Sequence, residues 1–422
     1  MRWDLIRPGT PGRLLPAGEG SGCHAAVLRC ILLVCGLSWA SAAVSQDKPA
    51  RPYRDFRQQA SPYAGPGRER AEPSAVSEVK IGYFGPNDPH DPQGGDLWKA
   101  AELAVDQANK QGGYHGKPFR LVPVWSTNPW GTGVSSLARL AYRDKVWAFL
   151  GGIDGPTAHL AEQVVAKALL PLVSPTSSDR TANVANVPWM FSVLPGDHQQ
   201  APCLAEALSA RAGARGFAVI SAQDHDSRIF LTELERTLKP HKLAPKFSHI
   251  LAGDTPDYAA AARQAISENV AAVVISAGAS PSARLVRALR SDGFKGLILG
   301  THFMGRRGFV AEAGPAAEGV LFPLLCDPGS LPASFRKSFE KRYHIQPDYA
   351  AAHTYDSLTM LFAAIRRAGL NRARIGDAIR GLSPYQGVTG TITWDKLGSN
   401  TRTVRLGTIR AGQLRRDGDT SR

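Results

Sequence analysis

The feature that most constrains this chain is a repeated alternation of short apolar runs with stretches whose apolar residues recur every three or four positions. Val79-Lys-Ile-Gly-Tyr-Phe84 reads as a strand, and in Asp96–Asn109 the residues Leu97, Ala101, Ala104, Val105 and Ala108 fall on one helical face, which Gly112-Gly113 ends. The pattern predicts strand 119–125, helix 134–143, strand 146–150, helix 157–168 and strand 170–174. After a pause at Leu194-Pro-Gly-Asp197 a second series is expected: helix 198–212, strand 216–221, helices 228–238 and 257–268, strand 271–276, helix 282–291 and strand 296–300. Strands separated by helices require right-handed crossovers, so the expected fold class is α/β with two doubly wound parallel-sheet lobes. At 422 residues, 43% of them hydrophobic, the chain is long enough for two such cores.

In open parallel sheets ligands bind beyond the carboxyl ends of the strands. The segment Leu172-Val-Ser-Pro-Thr-Ser-Ser-Asp179 runs from a strand to that rim. Its Thr176, Ser177 and Ser178 hydroxyls and free backbone amides suit a small polar or anionic group. An ordinary capped turn, with Ser or Asp opening a helix, is the competing reading.

The first 76 residues are of another kind. Arg2, Arg7, Arg13 and Arg29 lead into the apolar run Cys30-Ile-Leu-Leu-Val-Cys-Gly-Leu37, and small residues Ala40-Ser-Ala-Ala43 follow. This is the layout of an export signal over residues 1–43, and its apolar run is far shorter than the ~20 residues of a membrane-spanning helix. Val34, ahead of Cys35, is bulkier than a lipoprotein cleavage site prefers, so no lipid anchor is expected at Cys35. Residues 44–76, rich in Pro, Arg, Gln and Ala without periodicity, read as a disordered tether. A periplasmic or otherwise extracytoplasmic protein is expected, with its fold beginning near Val79 and a short tail over 416–422.

Cys203 and Cys326 are the two cysteines beyond the leader. An oxidising compartment permits one bridge between them, and two buried thiols are the alternative. The formal net charge is +14; ten basic and six acidic residues precede position 76, leaving +10 on the fold. Those charges are scattered among acids, and no aromatic-basic interleaving marks a nucleic-acid face.

Enzyme chemistry finds little support. Asp224-His-Asp-Ser227 holds an acid, a base and a hydroxyl, but chain neighbours on one loop do not converge on one substrate atom, and no nucleophile elbow or phosphate loop accompanies them. Asp88, His90, Asp91, His225 and His302 match no metal-ligand spacing. No cofactor or catalytic role is expected.

Several segments, weak singly, are specific in their order: Lys80-Ile-Gly-Tyr-Phe-Gly-Pro86, Ala108-Asn-Lys-Gln-Gly-Gly113, Phe149-Leu-Gly-Gly152, Pro171-Leu-Val-Ser-Pro175, Gly314-Pro-Ala-Ala-Glu-Gly319 and Gly387-Val-Thr-Gly-Thr-Ile-Thr-Trp-Asp-Lys-Leu-Gly398. Over Val79–Leu414 the chain thereby resembles the type I periplasmic substrate-binding proteins of ABC importers, in particular the leucine/isoleucine/valine-binding group. The resemblance implies a monomer of two lobes, 77–194 with 326–386 and 195–325 with 387–415, which close by a three-segment hinge on a small polar solute and deliver it to an ABC permease. A ligand-sensing receptor subunit of the same fold, with a ligand lacking an α-amine, is the alternative.

The resemblance also implies ligand positions. The serine that holds a substrate carboxylate aligns with Gly155, so Thr157 or the amides opening its helix would substitute. Thr176 aligns with a carbonyl that receives the ligand amine, and Ser178 with a threonine touching amine and carboxylate. In the second lobe Asp226 stands where the family carries an aromatic residue, and Ala277-Gly-Ala279 covers a second aromatic position. His302 replaces the acid that pairs with the amine, a place an imidazole cannot fill. Arg306 nearby would favour an acid or amide.

Overall fold

The computed structural model describes residues 67–418, apart from positions 127, 186 and 254. The expected signal segment and most of the expected tether, together with residues 419–422, lie outside the described residues.

Five parallel strands form the first sheet. In chain order they are β1 (Val79–Phe84), β2 (Phe119–Val124), β3 (Ala148–Gly151), β4 (Leu172–Ser174) and β5 (Met190–Ser192), and in space β2-β1-β3-β4-β5. The intervening helices are α1 (Gly95–Lys110), α2 (Val134–Ala138, flanked by π turns), α3 (Gly155–Ala168) and α4 (Arg180–Val184). Alternation along β1 divides its side chains between two cores. Val79, Ile81 and Tyr83 meet Ala101 and Ala104 of α1, while Phe84 faces the layer containing Leu140, Phe149 and Leu160.

The second sheet has seven strands in the order β14-β13-β10-β9-β8-β6-β7. Its strands are β6 (Phe217–Ala222), β7 (Ser248–Leu251), β8 (Ala272–Ser276), β9 (Leu297–Gly300) and β10 (Leu321–Leu324), all parallel, then β13 (Arg405–Arg410) and β14 (Gln413–Arg416), which are antiparallel to their neighbours. The sheet is covered by α5 (Asp197–Arg211), α6 (His225–Leu238), α7 (Tyr258–Ser267), α8 (Ala279–Ser291) and α9 (Arg307–Ala313). Because β14 pairs through Arg416 and Asp417 binds Arg211, this unit runs past the expected end at 415.

After β10 the chain returns to the first sheet. There α10 (Ala333–Tyr343), α11 (Tyr349–Ala368) and α12 (Arg372–Gly381) complete the packing: Leu358, Leu361, Phe362 and Ile365 of α11 share a core with β1. A hairpin of β11 (Tyr385–Gly387) and β12 (Gly390–Ile392) follows, and the Asp356 carboxylate of α11 accepts N–H bonds from Val388 and Thr389. Trp394 is buried against Phe191, and Ser399 bridges to Ser192. These contacts correct the boundary expected at 386/387, since residues 387–400 pack with the first sheet and the third crossing lies between Asn400 and β13.

The three crossings are laced together. Asn400 donates to the Val193 carbonyl beside the first, and Arg402 donates to the carbonyls of Leu325 in the second and of Thr389 in the β11–β12 turn, with His353 also against it.

Residues 67–76 correct another expectation. The side chain of Asn371 donates to the carbonyls of Gly67 and Arg70, Arg68 pairs with Asp377, and Tyr114 donates to Glu72. This end of the expected tether is therefore docked on the first lobe. Cys203 and Cys326 are free thiols, half-buried and buried.

Candidate functional site

The cleft is built where β3 and β4 of the first sheet face β6, β8 and β9 of the second. Asp154 caps α3: its carboxylate accepts the Thr157 N–H at 2.9 Å, and the Thr157 hydroxyl accepts the Asp154 N–H at 3.2 Å. This reciprocal cap corrects the expectation for Thr157, whose buried hydroxyl is engaged within its own loop. The Thr176 hydroxyl likewise donates to the Ile153 carbonyl at 2.9 Å, tying the two rim loops together, and the Ser177 hydroxyl accepts the Asp179 N–H.

Across the gap, Asp224 caps α6 through the Ser227 N–H and hydroxyl. That cap aims the first turn of α6 at α3. Asp226 Oδ1 accepts the Gly155 N–H at 2.9 Å, and His225 Nε2 lies 2.7 Å from Asp179 Oδ2. Gly155 has no room for a side chain in this arrangement: a Cβ there would lie 2.4 Å from Asp226 Oδ1 and 2.7 Å from the His225 ring.

Behind these contacts Ser178, Asp226, Ala277 and His302 converge with Asp197, Thr301 and Phe303 around a hollow of about 10 Å³, too small to hold a water comfortably. A separate cavity of about 380 Å³ adjoins it, sharing Asp226 and Phe303 and lined also by Asp154, Pro156, His225, Arg306 and Glu312. That volume lies in the range of small-molecule sites. Gly155, Thr157, Thr176 and Ser177 line neither hollow, and their contacts are those within and between the rim loops given above. A hollow of about 790 Å³ under residues 67–80 shares no residue with the cleft.

The electrostatics of the small hollow are acidic. Asp197, the first residue of α5, is 1% exposed, and neither carboxylate oxygen has a partner in hydrogen-bond geometry among the described residues, although the Ser178 side chain is near enough to favour its ionised form. Burial, then repulsion from Asp226, Asp179 and Glu233, pushes the Asp197 carboxyl well above the usual carboxylate range. Burial and the nearby Asp154 push Asp226 up to about 8, against the Gly155 N–H bond.

His302 is buried, and burial followed by the charge of Arg306 lowers it to about 3. The amide nitrogen of Gln200 donates to the Pro195 carbonyl, so its oxygen accepts from His302 Nδ1 at 3.0 Å and leaves Nε2 as an acceptor. Arg306, although it borders the larger cavity, is already paired: its guanidinium is bound to Asp348 at 2.7 Å and to the Gln93 carbonyl at 3.0 Å, while Arg307 pairs with Asp96 at 2.8 Å. These arginines clamp the second lobe to α1 and α11. Sequence reasoning missed Asp197, which reads as an ordinary acid at a helix start.

Comparison with known proteins agrees with this architecture. The profile of the periplasmic binding protein family matches residues 78–413. An amino acid binding protein of Pseudomonas aeruginosa is 26% identical over 337 residues, covering 77% of this chain and 88% of that one. Among solved structures, the branched-chain amino acid transporter substrate binding protein LivJ from Streptococcus pneumoniae, in complex with isoleucine, superposes with a TM-score of 0.73 at 21% identity, over 80% of this chain and 97% of that one. A solute binding protein of an ABC transporter from R. palustris, in complex with benzoate, gives 0.72 at 16%, over 81% and 96%. The fold, the cleft and the family profile lead to one assignment: the chain belongs to the periplasmic binding protein family, a noncatalytic family of ligand binders.

Proposed function

We infer that this protein captures a small solute carrying an ammonium group, an amino acid or a related amine, in the interlobe cleft. The observation that carries the reading is the Asp197 carboxylate, buried beside Ser178, Asp226 and His302 with neither oxygen in good hydrogen-bond geometry to any of the described residues. A buried carboxylate lacking a partner is costly, and a cationic donor relieves the cost. The acid that the family resemblance places at His302 is thus supplied from α5 and α6: the ligand lies in the 380 Å³ cavity with its ammonium against Asp226, which lines both hollows, and Asp197 acts on it from behind. Arg306 is already neutralised by Asp348, which weighs against a ligand chosen for a free acid alone.

Ligand-driven closure of the lobes is the signal presented to an ABC permease, with differential contact in the closed state setting the population. Export by the N-terminal signal without a lipid anchor, action as a monomer, and no nucleic-acid partner complete the reading. The test is a thermal-shift screen of the purified protein against amino acids, primary amines, amides and organic acids. A ligand at 100 times its Kd adds about 2.7 kcal/mol of stability; hits confined to acids without an amine would overturn the assignment.

A further inference from the structure

Asp179 sits between two histidines drawn from different lobes. His159 Nε2, on α3, lies 3.0 Å from Asp179 Oδ2, and His225 Nε2, at the start of α6, lies 2.7 Å from the same oxygen. One ligand atom from each of the three falls within 4.8 Å of the others. We propose that His159, Asp179 and His225 form a zinc site that bridges the two lobes at the lip of the cleft, with water as the fourth ligand.

Two imidazole nitrogens and one carboxylate oxygen are a donor set suited to Zn²⁺, and three protein ligands with one open position is a tetrahedral arrangement that metal accepts. Each histidine nitrogen already lies at 3.0 or 2.7 Å from the shared Asp179 oxygen, close to the spacing of neighbouring ligand atoms around a tetrahedral ion. Both histidines are partly exposed, 24% and 30%, so the ion reaches them from solvent, while the Asp179 side chain is buried and fixed. The other nitrogen of His159 is already oriented: Nδ1 lies 3.4 Å from Glu162 Oε2, the carboxylate–histidine relation that supports bound zinc. Glu162 is itself buried and its Oε1 has no hydrogen-bond partner. Thr181 holds the remaining Asp179 oxygen through its N–H at 2.7 Å.

Because His225 belongs to the second lobe and the other two ligands to the first, the full set exists only when the lobes meet. Zinc therefore favours the closed form, and by linkage closure strengthens zinc binding. The three metal ligands line no part of the hollow at Asp197, although His225 also borders the 380 Å³ cavity, so zinc titration without any solute tests this site apart from the solute reading.

The experiment is calorimetric titration of the untagged, metal-free full-length protein with ZnCl₂, repeated on His159→Ala, His225→Ala and Glu162→Gln. The expected result is one ion per chain, affinity reduced at least tenfold in each histidine variant and about tenfold in Glu162→Gln, and a more compact scattering profile with zinc for the unaltered chain but not for His225→Ala. Thermal melts without metal identify any variant that fails to fold. Co²⁺ in place of Zn²⁺ should give the visible bands of a tetrahedral site, absent in His225→Asn. No saturable binding, or binding unchanged in both His159→Ala and His225→Ala, overturns the proposal.

Discussion

The Asp226 carboxylate of the second lobe accepts the backbone N–H of Gly155 in the first at 2.9 Å. It thus occupies, from within the protein, a helix N-terminus of the kind that suits an anion. The glycine and the aspartate are one exchange seen from two sides, since a side chain at 155 and an acid at 226 compete for the same volume.

Gly155→Ser should therefore disturb closure. Its Cβ would fall within 3 Å of Asp226, His225 and Asp179 side-chain atoms, an overlap worth about 1–3 kcal/mol. Small-angle scattering of the ligand-free variant should show a larger radius of gyration than the parent, and an identical profile would contradict the packing described.

Asp197→Asn removes the buried ionisable carboxyl while keeping its shape. Ligand-free stability at alkaline pH, where burial opposes ionisation of the native carboxyl, should rise, and affinity for an ammonium ligand should fall by about ten- to a hundredfold, from the ~1.5–3 kcal/mol of a charged hydrogen bond. Calorimetry with the best hit checks both arms, and retained affinity would place the amine elsewhere.

Stability of the ligand-free protein should decline as pH rises from about 6.5 to 9. The carboxyl of Asp226 is raised to about 8, so the folded state holds a proton that the unfolded state has released, and that contribution is lost as pH passes the folded value. His159, raised to about 9 by its bonds to Asp179 and Glu162, acts in the same direction, its contribution complete below its unfolded value and lost through 9. Melting temperatures across this range should flatten in Asp226→Asn, and a rise with pH would reverse the sign assigned here.

Arg306 and Asp348 form a buried pair across the lobes, and Asp348 also caps α11 through the Ala350 and Ala351 N–H groups. Arg306→Met, which strands that carboxylate, should cost about 3–5 kcal/mol. Denaturant titration of the single and double variants measures it; a loss below about 1 kcal/mol would mean the pair is solvated.

Most of the layered fold was legible because buried parallel strands and amphipathic helices leave unlike periodicities. The strand β7 was not, since Ser248–Leu251 is an edge strand with one buried residue, Leu251. The third crossing was misjudged because what ties residues 387–400 to the first sheet, Asp356 and the Phe191–Trp394 contact, is distant in sequence. Ser178, Asp226, Ala277 and His302 could be brought together by alignment. Asp197 could not be read as their partner, because helix-start acids are common and only packing reveals one deprived of both water and a donor.

Lacing by Asn400 and Arg402 has a mechanical consequence. Three fastened strands bend together but resist twisting and sliding, so the halves travel like the covers of a book rather than a ball in a socket. Fastened in this way, the crossings leave the facing walls of the cleft one dominant relative motion, a change of the angle between them.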